Sequence, residues 1–164
     1  MHLKPDICEA CPAFRIGQSY VPGVGPTHPK AILLGQGPGK AEATMGVPFI
    51  GPAGAKLDRW LARSTGWRRD EVWIDNTVRC WLPKDRAPLV REVAYCRAHH
   101  WGQPLTDRLA SRTLDDGTSA ILIVPLGAAA TKAILGPQAG ERWFGSLELI
   151  NININIEVET PSCS

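Results

Sequence analysis

The sequence predicts an α/β fold, a three-layer α/β/α arrangement around a central, mostly parallel, four-stranded sheet. Three observations lead there. Short apolar or alternating runs at 31–34, 71–76 and 120–125 each give way to residues that suit a turn. Segments with helical spacing of apolar residues lie between them, so strand and helix alternate, as in a parallel sheet covered on both faces. A glycine-rich loop at 35–39 and the asparagine Asn76 fall at strand carboxyl ends, where such sheets bind ligands.

Taken in order, residues 8–29 are rich in proline and glycine without periodicity and read as a loop-like N-terminal segment. The run AILL at 31–34 is a buried strand that stops at Gly35. Leu57, Trp60 and Leu61 recur at helical spacing, and Gly66 is a suitable stop. EVWIDN at 71–76 is a second strand. A proline-containing loop, WLPKDRAP, leads to a helix over 90–109 that carries Val93, Trp101, Leu105 and Leu109. Residues 120–125 form the third and most clearly buried strand, and Gly127 and Gly136 bracket an alanine-rich helix. The tail, LELININININIEVE, alternates with period two and reads as a fourth strand. Asparagine-rich alternation of this kind also pairs readily at a sheet edge. It runs into TPSCS with no helix after it, so the stretch 147–164 is atypical, as in a domain cut short.

With 164 residues the chain reads as a single domain, 1–164, able to bury one core. Hydrophobic content of 44% and charged content of 21% suit a soluble globular monomer. A net charge of +2 does not by itself demand a polyanionic partner, so any basic surface is local. The N-terminus lacks the apolar region of a secretory signal. The longest apolar stretch, AILIVPLGAAA, is too short for a bilayer and is broken by Pro125 and Gly127. These features point to a cytoplasmic protein with no membrane partner. Five cysteines, at 8, 11, 80, 96 and 163, are an odd set for a disulfide framework, and in a reducing compartment they suggest metal or redox chemistry.

The glycine loop does not fit the common phosphate cradles. A P-loop needs G-x-x-x-x-G-K-[ST], yet Ala41 follows Gly39-Lys40 and Leu34 stands where the first glycine belongs. A dinucleotide fingerprint needs a third glycine where this chain has Lys40.

Four stretches, in order, carry a resemblance: CEAC; GQGPGKAEATMGVPFIGPAG; DNTVRCWLPKDRAP with the later Cys96; and VPLGAAATKAILG. Together they resemble the family 4, iron–sulfur uracil-DNA glycosylases over residues 8–136. The resemblance implies base excision repair, in which uracil is flipped from DNA and its N-glycosidic bond hydrolysed. It implies a 4Fe–4S cluster on Cys8, Cys11, Cys80 and Cys96. Four thiolates satisfy such a cluster, and a C-x-x-C pair sets two sulfurs on one turn. The residues alone leave zinc on the same cysteines, or unrelated buried thiols, as alternatives. Cys163 has no partner on this reading.

The resemblance further implies that Phe49 stacks on the extruded base and that Asn76 reads its O4 and N3–H. An amide has both a donor and an acceptor for that purpose. The residues alone leave a core phenylalanine and a strand-end cap as the other readings. Gly35 and Gly37 would bring backbone amides close to the base. Gln36 and Glu42 are the candidate catalytic groups. Lys84 and Arg86 are candidate DNA-phosphate contacts, with Arg68, Arg69 and Arg79 as further ones.

Two departures stand out. Many members carry glutamate where this chain has Gln36, which cannot take a proton as a carboxylate does, and Ala43 replaces an acid that commonly follows Glu42. The His-Pro-Ser-like loop of the family aligns with Thr160-Pro161-Ser162, so its histidine is missing. The pair His99-His100 reads as a helix surface. An alternative function is therefore a catalytically impaired uracil- or DNA-binding module of the same fold.

Overall fold

A computed structural model describes residues 3–102 and 122–140. Its centre is strand β2 (Ala31–Gly35), every residue of which is buried. The N-terminal segment before it holds a short 3-10 turn (Asp6–Ala10) and strand β1 (Gln18–Tyr20), so it is more ordered than its loop-like composition suggests. After β2 come helix α1 (Lys40–Met45) and helix α2 (Pro52–Trp60), the latter continuing as a wider turn over Leu61–Thr65. Strand β3 (Trp73–Asn76), strand β4 (Cys80–Trp81) and helix α3 (Val90–Cys96) follow, with a wider turn over Arg97–Trp101. Strand β5 (Leu122–Pro125) and helix α4 (Ala128–Leu135) complete the described chain.

Three strands form a parallel sheet in the order β3-β2-β5. Residues Ile32, Leu33, Leu34 and Gly35 stand beside Trp73, Ile74, Asp75 and Asn76. On the other flank Ile32 and Leu33 stand beside Ile123 and Val124. Side chains alternate between faces along a strand, so β2 feeds two cores at once. Ala31 and Leu33 pack with Ile74 against Leu57 and Leu61 of the α2 segment. Ile32 and Leu34 pack against Cys96, Trp101 and Ala130, from α3, its extension and α4. A strand covered on both faces has to be apolar throughout, which is why AILL shows no alternation. The result is the expected α/β/α layering.

Local signals explain the ends of the elements. Pro52 opens α2, where its missing N–H is harmless. Gly66 closes the extension of α2 in the left-handed region, with φ 68°. Gly127 and Gly136 flank α4 as the composition suggests. β3 starts two residues later than the 71–76 reading. Glu71 belongs instead to a 3-10 turn, where its carboxylate accepts the Arg68 N–H at 2.8 Å and pairs with Lys30. β5, read as the most buried strand, flanks β2 in this sheet, and Leu122 is 38% exposed.

A separate antiparallel pair, β1 with β4, lays the N-terminal segment along the chain that leaves β3. The expected fourth strand in the tail, the end of the 90–109 helix, the Thr160-Pro161-Ser162 stretch and Cys163 lie outside the described residues. No described helix is long and apolar enough to cross a membrane.

Leu33 is fully buried under the α2 segment. Leu33→Ala should lower unfolding stability by about 2–5 kcal/mol in a urea titration.

Candidate functional site

The parallel register sets Gly35 beside Asn76 at the carboxyl ends of β2 and β3. The chain after β2 departs toward the α2 face and the chain after β3 toward the α3 face. Strand ends whose connections diverge in this way leave a crevice between them. That crevice has a volume of about 420 Å³, and Gln36, Glu42, Phe49, Asn76, Cys80 and Arg86 all line it.

Two side chains converge over Gly35. A Cβ placed there would stand 2.4 Å from Phe49 Cζ and 2.5 Å from Asn76 Oδ1. Only glycine leaves room for the ring and the carboxamide together. Asn76 is 2% exposed, and its Oδ1 accepts no hydrogen bond among the described residues. A buried acceptor left unpaired costs about 1–3 kcal/mol, so this atom is an unmet demand for a donor.

Phe49 serves two surfaces. Its ring lines the crevice and also packs against the Leu33 and Leu57 side of the core. Its φ of 54° is unusual for a bulky residue and has to be held by its surroundings. Glu42, 8% exposed, does much of this holding. Its Oε1 accepts the N–H groups of Ile50 (3.2 Å) and Gly51 (2.9 Å), directly after Phe49. Gly54 completes the turn, because a Cβ there would collide with the Phe49 carbonyl oxygen at 1.7 Å.

Gln36 projects an exposed side chain at the rim. Its backbone carbonyl accepts from Thr77 Oγ1 at 2.6 Å and from the Val78 N–H at 3.3 Å. The Gly35 carbonyl accepts the Thr77 N–H at 2.8 Å. These three bonds tie the glycine loop to the end of β3. Gly37 faces Val78 in the same wall.

The cationic candidates divide. Lys84 is exposed, with φ 57° in the loop after β4, and is not part of the crevice lining. Arg86 lines the crevice but is engaged twice by Glu92, at 2.6 and 2.9 Å. Arg68 pairs with Asp70 and Arg69 with Asp58. Arg79 is no surface charge. It is 8% exposed and bonded to Asp75 and Tyr20, so it is withdrawn from the phosphate contacts expected of it. His100 likewise departs from the surface reading. It is 7% exposed, and burial, aided by the Arg79 and His99 charges, pushes its pKa down to about 4.

Among the described residues are four thiols, none in a disulfide, of which Cys80 lines the crevice. Cys8 and Cys80 pack together around Tyr20, whereas Cys11 borders the core group that contains Cys96. Burial pushes Cys80 up to about 11 and Cys96 up to about 12, and the other thiols add to it. Cys96 feels Cys80, Cys11 and Cys8. Among the described residues no three Cys, His, Asp or Glu side chains are gathered as ligands of a single ion.

Sequence reading missed Arg79, Tyr20 and His100 as one buried group, because residues 80 apart share no local pattern. It also missed Glu92, whose only signal was its place in the first turn of a helix. That carboxylate is 1% exposed and accepts the Leu89 N–H at 2.8 Å as well as the Arg86 bonds. Hydrogen bonding from Arg86 holds its pKa below the ordinary value of 4.5, against the opposing pull of burial. Its contribution to stability is therefore complete above 4.5 and lost as pH falls through the depressed value. Glu92→Gln should lower Tm at pH 7, and the gap to the wild type should shrink as the pH is taken well below 4.5 in thermal melts.

The model of the uracil DNA glycosylase superfamily matches residues 22–162. The type-4 uracil-DNA glycosylase of Archaeoglobus fulgidus is 39% identical over 89 residues, 54% of this chain and 44% of that protein. The Thermotoga maritima protein of the same name is 39% identical over 89 residues, 46% of its length. That of Sulfurisphaera tokodaii is 32% identical over 136 residues, 83% of this chain and 56% of that protein. The chain spans about half the length of these curated relatives. With the matched model covering most of the sequence, the chain belongs to the uracil DNA glycosylase superfamily, and its similarity within it is to the type-4 proteins.

Proposed function

We propose that this chain is a uracil-DNA glycosylase, which takes uracil out of DNA by base flipping and hydrolyses its N-glycosidic bond. The observation that carries the reading is the buried, unpartnered Asn76 Oδ1 beside the Phe49 ring at Gly35. Uracil offers an N3–H to that oxygen and an O4 to the amide N–H, whereas cytosine presents an acceptor at N3. A site built around a buried polar group rejects the base that leaves it unpaired. Phe49 supplies a face for stacking.

Hydrolysis breaks the bond between uracil N1 and the sugar C1′ and joins a water oxygen to C1′. The loop at 35–39 would steady the departing uracil anion with backbone amides. Glu42 spends Oε1 on the Ile50 and Gly51 amides, which leaves Oε2 to orient or deprotonate the water. The Gln36 amide, at the rim, holds a water without taking its proton. Of the cations, Lys84 is exposed and would be free to meet a phosphate, and Arg86 could contact one only by sharing or leaving Glu92.

The four thiols are the donor set that a 4Fe–4S group takes. They are unpaired and mostly buried, and Cys8 and Cys80 pack together around Tyr20. A four-iron cluster takes one thiolate per iron, so its donors stand apart. Cys8, Cys11, Cys80 and Cys96 would hold it. When bound it supplies a covalent tie between the N-terminal segment, β4 and α3. Unpaired thiols suit a reducing compartment such as the cytoplasm.

The test is a single-stranded oligonucleotide with one uracil, treated with the protein and then with hot alkali to cut abasic sites. Cleavage at uracil and none at cytosine is expected. Binding without base release would identify an impaired binding module, and no cleavage at large protein excess rejects the proposal. Phe49→Ala should raise KM about 10- to 100-fold through lost stacking, and Gln36→Glu should raise kcat by up to about 10²-fold by restoring a proton acceptor.

A further inference from the structure

A line of buried side chains runs unbroken from the pocket to one of the thiols. Asp75 Oδ1 accepts the Asn76 backbone N–H at 2.8 Å. The same carboxylate accepts Arg79 Nε at 3.1 Å and Nη2 at 2.6 Å. Arg79 Nη1 donates to Tyr20 Oη at 2.9 Å. Tyr20 Oη lies 3.3 Å from His100 Nδ1, and His100 Nε2 lies 3.1 Å from Cys8 Sγ. Asp75, Arg79, Tyr20, His100 and Cys8 are all buried, so water does not compete for these bonds.

Donor chemistry gives the line a direction. A guanidinium has donors only, so the Tyr20 oxygen has to accept from Arg79. Its single proton is then free to go to His100 Nδ1, and we assign that tautomer. An imidazole that accepts at Nδ1 carries its proton on Nε2, and that N–H faces Cys8 Sγ. In that tautomer the Cys8 sulfur is the acceptor at the end of the line. A thiolate accepts far better than a thiol, and thiolate is the form that binds metal.

We propose that His100, oriented by Tyr20 and Arg79, is an outer-shell hydrogen-bond donor to the Cys8 thiolate and raises the reduction potential of the iron–sulfur group that Cys8 helps hold. The inference rests on the cofactor reading given above. Hydrogen bonds to ligating sulfurs favour the more negative, reduced state, and outer-shell partners orient the ligands they touch. His100 and Tyr20 are positioning residues, since neither touches the base.

The experiment uses the full chain, loaded anaerobically with ferrous iron and sulfide, with iron and sulfide counted. The potential is read from the visible absorption during titration with dithionite. His100→Leu removes the donor and should shift the potential to more negative values. Tyr20→Phe keeps the ring but frees the histidine tautomer, and should shift it in the same direction by less. His100→Gln keeps an N–H near the place of Nε2 and should stay close to the wild type. Trp60→Phe, on the exposed side of α2, should not move it. Equal potentials in all fully loaded proteins would overturn this inference and leave the cofactor reading standing. A wild type that takes up no iron overturns both. Should His100→Leu fail to fold, the Tyr20→Phe shift decides.

Discussion

The Asp75 carboxylate is the point on which the rest of the architecture turns. It sits 1% exposed at the end of a central strand pair, with Arg79 beside it. Taking two such charges out of water costs several kcal/mol per ion unless every polar atom is satisfied. Here the carboxylate receives three N–H groups, two from Arg79 and one from the backbone of Asn76. The remaining Arg79 nitrogen goes to Tyr20. Gly23 leaves the space, since a Cβ there would stand 2.3 Å from Asp75 Oδ2. One buried ion pair thereby fastens β3, the chain leading to β4, and the N-terminal segment into a single block.

The pocket inherits its rigidity from that block. Asn76 follows Asp75 in the strand and is bonded through its backbone, so its carboxamide is presented from a fixed base. Across the parallel register, Gly35 offers a strand end without a side chain. Phe49 is held in a left-handed conformation by Glu42 and by the close approach of Gly54. Backbone strain and an unpaired buried oxygen in one place are both unfavourable in the empty protein. A donor brought to the Asn76 oxygen would relieve the second of them.

Glu42 shows how an acid can hold a site together and still be available for chemistry. One of its oxygens fixes the turn that follows Phe49, and the other faces the glycine loop, 2.8 Å from where a Gly39 Cβ would stand. The thiols show a related economy of means. Cys80 lines the crevice while packing with Cys8 and Tyr20, so the wall of the crevice and the thiol group share a residue.

The sequence by itself determined the α/β class, the three parallel strands near their observed places, the helix between Gly127 and Gly136, and the stretches that line the pocket. Each is written locally, as a two-faced apolar run, a helical spacing or a glycine at a turn, because such features depend on neighbours in the chain. The loop at 35–39 and the place of Asn76 at a strand end were legible for the same reason, whereas Phe49 was singled out by the family resemblance. Tertiary structure alone decided that Arg79 is an interior cation, that His100 is buried while His99 is exposed, and that Arg86 answers to Glu92. It also decided that residues 18–20 pair with β4. In these cases the partner lies tens of residues away, and whether a charge meets water or a carboxylate depends on which surfaces the fold brings together.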